Sequence, residues 1–128
     1  MVVMTEPRTV VLIADRNQLV AEALVDPFLD VAEVDARIVT SLAKALLTAQ
    51  LQQPDLVLVD AWIGRTEVEE LVRQIKSCTP GARVFVMASK VEKAFERRAK
   101  QAGADGCCET EKVPSNARAM LAAARKAR

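Results

Sequence analysis

The chain has 128 residues, 51% of them hydrophobic, which suits one compact domain with a buried core and excludes two. Eighteen Lys and Arg against 17 Asp and Glu leave a formal charge of +1, so no bulk field draws the chain onto nucleic acid or an anionic membrane. There is no His, and three Cys (Cys78, Cys107, Cys108) lack CxxC spacing, which argues against zinc sites, disulfide frameworks and His-dependent triads and leaves carboxylates, hydroxyls and thiols to carry any chemistry.

The first apolar run, TVVLIAD at 9–15, is too short to cross a membrane and lacks the flanks of a signal peptide, so a cytoplasmic location with no membrane partner is expected. It reads instead as a buried strand, as do DLVLVD at 55–60 and RVFVMAS at 83–89, all rich in β-branched residues. Apolar residues at successive positions suit strands covered on both faces, as in parallel sheets. ARIV at 36–39 alternates as an edge strand does, and GCCE at 106–109 is a short strand after a Gly-containing turn.

Helical periodicity fills the gaps. A helix over 17–25 should end or kink at Asp26-Pro27. A second runs from Thr40 or Ser41 as N-cap to Pro54, and a third over 66–77 carries an apolar face of Val68, Leu71, Val72 and Ile75 behind a Thr66-x-x-Glu69 capping box. The fourth covers 91–102, with Gly103 after its end, and the fifth is the Ala-rich stretch 115–127. Five β-α units in strict alternation predict an α/β domain with a doubly wound parallel sheet, in which ligands sit beyond the carboxyl ends of the strands. The residues that matter most are therefore Asp15 and Arg16, Asp60, Ala88 and Ser89, and Thr110.

VLIADRNQLVAEAL, PDLVLVDAWIG and RVFVMAS followed by AGADG resemble the receiver domains of two-component response regulators in order and spacing along the whole chain, most of all receivers that precede a helix-turn-helix output domain. The resemblance implies a single receiver domain over 1–128 and a (βα)5 flavodoxin-like fold with five parallel strands in the order 2-1-3-4-5. It implies that Asp60 is the phosphoacceptor position, served by a histidine kinase. It also implies that Asp15, Asp60 and the backbone carbonyl of Trp62 form what remains of a Mg²⁺ site. A carboxylate that attacks a phosphoryl group needs such a cation to neutralise the developing charge.

Three pocket positions depart from the family pattern. Arg16 replaces the second acid, Ala88 replaces a phosphoryl-binding hydroxyl, and Thr110 replaces a Lys; Ser89 points elsewhere by alternation, and Lys112 needs a register slip to substitute. The expectations are weak Mg²⁺ binding if any, no enzymatic activity, and an Arg16 side chain folded onto Asp60 or, failing that, Asp15. The leading expectation is an atypical receiver acting by protein interaction and homodimerisation through the fourth and fifth helices, in signal transduction and transcription regulation, with phosphorylation at Asp60 weak or lost. The alternative is a receiver that still accepts phosphate there. A flavin or nucleotide binder is disfavoured because DRNQL, after the first strand, has no glycine.

Other residues have two readings. Trp62 is a partner anchor or a shield over the carboxylate pair, and Cys107 and Cys108 read as small hydrophobes. Residues 112–128 carry five basic groups (Lys112, Arg118, Arg125, Lys126, Arg128) and no acid, as a solvated helix end or a linker towards a DNA-binding output domain would.

Overall fold

The computed structural model describes residues 8–126. Five strands, β1 (Thr9–Ala14), β2 (Val34–Val39), β3 (Leu56–Asp60), β4 (Arg83–Ala88) and β5 (Gly106–Glu109), form one sheet in the order β2-β1-β3-β4-β5. All four pairings are parallel, as expected. Six helices connect and flank them: α1 (Gln18–Ala23), α2 (Val25–Leu29), α3 (Leu42–Gln52), α4 (Val68–Cys78), α5 (Lys93–Gln101) and α6 (Val113–Lys126). Residue 127 and Arg128 of the basic C-terminal stretch lie outside the described residues.

The continuous apolar runs follow from coverage on both faces. Leu12, Ala14, Val57, Val59, Val84 and Val86 pack towards α3, α4 and α5, while Val11, Ile13, Leu56, Leu58 and Met87 pack towards α1, α2 and α6. Leu56 to Val59 are fully buried; each such side chain stabilises the fold by roughly 1.5–3 kcal/mol. The central strand is thereby the most rigid support available for the residue that ends it, Asp60.

Local details differ from expectation: β2 begins at Val34 rather than at 36, and α5 at Lys93 rather than at 91. The helix expected over 17–25 is broken at Leu24 into two short ones, and helical backbone continues through Asp26 and Pro27. Pro27 is third in α2, within the first turn, where a missing N–H costs no intrahelical bond. The capping box is absent: α4 starts at Val68 with Glu67 as N-cap, without a side-chain cap bond, and Glu69 lies 3.7 Å from Arg98 of α5. The last helix starts two residues early, at Val113, after a 3₁₀ turn over Thr110–Lys112. Elsewhere the cap chemistry holds. Ser41 Oγ accepts the Lys44 amide at 3.2 Å, and Gly103 follows α5 at φ +118°, where a side chain would be strained.

Candidate functional site

The carboxyl ends of β1 and β3 lie side by side, paired from Val11↔Leu56 to Ala14↔Val59. One residue further on, each chain presents an aspartate, Asp15 at 7% exposure and Asp60 at 6%. Local backbone chemistry holds both. Asp15 Oδ1 accepts the Asn17 amide at 2.9 Å, and Asn17 Oδ1 in turn accepts the Leu19 and Val20 amides, capping α1. Asp60 Oδ1 accepts the Trp62 amide at 3.1 Å.

The other oxygen of Asp60 is occupied by Arg16. Its Nε donates to Oδ2 at 2.6 Å, and its backbone amide approaches the same oxygen at 3.4 Å. Of the two acids weighed for Arg16, it binds Asp60. The guanidinium remains 58% exposed, so the pair has one wet and one buried member. Burial pushes the Asp15 carboxyl above its ordinary value; the Asn17 amide pulls it down, the Asp60 charge adds to the rise, and Arg16 opposes it.

Around this pair the other pocket positions offer little to an anion. Ala88 ends β4 with a methyl group on the face that carries Val84 and Val86. Ser89 is exposed, and Thr110 opens the 3₁₀ turn. Lys112 is turned to Glu109, 3.2 Å from Oε1, while Glu109 Oε2 accepts the Val91 amide at 3.3 Å. The hydrogen bond from Lys112 is the largest of the effects that lower the Glu109 carboxyl below its ordinary value. Glu109 thus ties β5 to the start of the β4–α5 loop, a role missed in the sequence, where only an acid three residues before Lys112 hinted at it.

The oxygen donors on offer to Mg²⁺, which is held by one or two carboxylates with water completing a near-octahedral shell, are Asp15, Asp60 and the Trp62 carbonyl. Among the described residues no three His, Cys, Asp or Glu side chains are grouped to hold a metal. One of the two aspartates already carries a guanidinium, and the Trp62 carbonyl accepts the Arg65 amide at 3.2 Å. Trp62 itself is 58% exposed. The cysteines are free thiols. Burial pushes Cys107 up to about 11 and also raises Cys108, as small hydrophobes on a strand behave.

No curated protein matches the sequence. Solved structures superpose along nearly the whole chain. The signal receiver domain of the response regulator NarL from Mycobacterium tuberculosis gives a TM-score of 0.80 at 22% identity, covering 94% of this chain and 98% of that one. The signal receiver domain of the Luxo repressor protein from Vibrio parahaemolyticus gives 0.78 at 17%, covering 94% and 95%. A CheY-like receiver domain protein from Methanospirillum hungatei gives 0.77 at 15%, covering 94% and 98%. At these identities the likeness shows the flavodoxin-like fold. The family is shown by the sequence pattern of the response regulator receiver domain, which matches residues 11–122 and so spans both aspartates, most of β1 and all of β2 to β5: this chain belongs to the response regulator receiver domains.

Proposed function

We propose that this receiver domain signals by protein contact rather than by a phosphate switch, with Arg16 as a built-in counter-charge on Asp60. The observation that carries the reading is the 2.6 Å contact between Arg16 Nε and Asp60 Oδ2. A carboxylate that accepts a charge-assisted hydrogen bond from a guanidinium is a poorer nucleophile, and the guanidinium stands in the approach of an incoming phosphoryl group. Without a hydroxyl at Ala88 or an ammonium at Thr110, a phosphoryl group on Asp60 has no partners to couple it to a second conformation. Weak or absent Mg²⁺ binding belongs to the same reading. So does a cytoplasmic signalling role, with transcription regulation through an output domain outside this chain.

Self-association through α5 and α6 is part of the proposal. The outer face of α5 alternates Glu92, Lys93, Glu96, Arg97 and Lys100, so a two-fold packing sets opposite charges against each other. Sedimentation velocity should then show a dimer that loosens with added salt; a monomer at all concentrations and salts overturns this part.

A second reading, in which Asp60 accepts phosphate from a histidine kinase, draws support from the 58% exposure of Arg16, since an exposed head can swing aside. The deciding test is incubation with acetyl phosphate and Mg²⁺, read by intact mass. The wild type should stay unmodified, and the triple variant Arg16→Asp, Ala88→Thr, Thr110→Lys should gain a phosphoryl group at Asp60. Ready modification of the wild type at Asp60 decides for the second reading.

A further inference from the structure

Beside the aspartates, the loop after β3 and the first turns of α4 and α5 enclose a groove of about 410 Å³, lined by Ala61, Trp62, Arg65, Thr66, Glu67, Val68, Phe95 and Arg98. That volume lies within the range of about 300–1,000 Å³ typical of small-molecule sites. Its walls combine an aromatic pair, Trp62 and Phe95, with two guanidinium groups. These are the ingredients of a site that takes a flat apolar body and one anionic head.

The charges in the groove are not equivalent. Arg98 is already answered, with Nη1 at 3.4 Å from Glu67 and 3.7 Å from Glu69. Arg65 has no ion pair or side-chain hydrogen bond among the described residues. The Arg65 amide closes a turn on the Trp62 carbonyl, at 3.2 Å, and both residues line the groove. Trp and Arg are among the residue types most enriched at the positions that dominate binding energy in interfaces. Glu67, the one acid in the lining, is paired with Arg98, so an anionic head is favoured only at the Trp62–Arg65 end.

We infer that the groove between the β3–α4 loop and α5 is a binding site for a small planar aromatic acid, its ring against Trp62 and Phe95 and its carboxylate on Arg65. The site has a direct line to the aspartate. The Trp62 amide holds Asp60 Oδ1 while Arg16 holds Oδ2, so a ligand that shifts Trp62 acts on the Arg16–Asp60 pair from the other side. The inference goes beyond the proposed function and does not depend on it, because occupancy of the groove requires nothing of phosphorylation.

Trp62 is the sole tryptophan and lines the groove, so a change in its emission on titration reports binding there when no Mg²⁺ is present. The probes are naphthoate, the neutral naphthylmethanol and the cationic naphthylmethylammonium, titrated against the full chain. Naphthoate should change the emission saturably and bind about tenfold tighter than naphthylmethanol, the size of one charge-assisted contact, with the cation weakest. Arg65→Ala should abolish the preference for naphthoate while leaving naphthylmethanol binding unchanged. Arg118→Ala, on the groove between α2 and α6, should change neither, and calorimetry on Phe95→Leu should show weaker binding of both. Equal affinities for the three probes, an Arg65→Ala protein that still prefers naphthoate, or no saturable response with millimolar naphthoate overturns the inference. Phosphorylation of Asp60 under acetyl phosphate would overturn the proposed function and leave this one standing.

Discussion

The two ends of the sheet each carry a short Arg–Asp pair, and they do different things. At the amino end, Arg83 Nη1 meets Asp105 Oδ1 at 2.8 Å while Asp105 Oδ2 accepts the Val84 amide, also at 2.8 Å. Nearby, Asp55 Oδ2 accepts the Val10 amide at 2.8 Å. These carboxylates staple neighbouring strands in register. At the carboxyl end, Arg16 and Asp60 form a contact of the same kind, at 2.6 Å, between the residues that follow β1 and end β3, whose helices pack on opposite faces of the sheet. The same kind of pair therefore ties strands in register at one end and places a cation on the Asp60 carboxylate at the other. The difference comes from topology, because only at the carboxyl ends do crossover helices leave in opposite directions.

The comparison is most sharply tested at the staple. Asp105→Ala should destabilise the fold by about 2–3 kcal/mol, because it removes a charged pair and leaves the Val84 amide without its acceptor; urea denaturation measures this. Replacing Arg16 by an acid should reverse the character of the other end. Arg16→Asp should raise Mg²⁺ affinity at least about tenfold, by removing a cation and adding an oxygen donor, with Trp62 fluorescence as readout.

Simple removal should matter less there than at the staple. Arg16→Ala should cost about 1 kcal/mol or less in urea, since the guanidinium is largely solvated. The smallest effect concerns Asp15. Its carboxyl is raised, so the folded state keeps a proton that the unfolded chain has already released. Ionisation of Asp15 therefore opposes folding, and its share of stability falls as pH rises from the unfolded value, about 3.9, through the raised folded one. Asp15→Asn keeps an oxygen for the Asn17 amide, so this variant should be slightly more stable than wild type at neutral pH. The gain should vanish when urea curves are taken near pH 3.

Much of this was legible in the chain. The runs ending in Asp15, Asp60 and Ala88 marked β1, β3 and β4, because strands covered on both faces need apolar residues at nearly every position. The break at Leu24 and the missing capping box were not legible. A side chain such as Glu69 chooses between its own helix and a neighbouring one, and Arg98 lies 29 positions further along the sequence.

The sequence by itself determined the β-α alternation, the family pattern and the identity of the changed pocket residues, since each depends on residue type and local spacing. Tertiary structure alone decided where the long charged side chains went. Arg16 could reach either aspartate. That choice rests on a contact between residues 44 positions apart, set by how the strands pack side by side, and no local pattern encodes it.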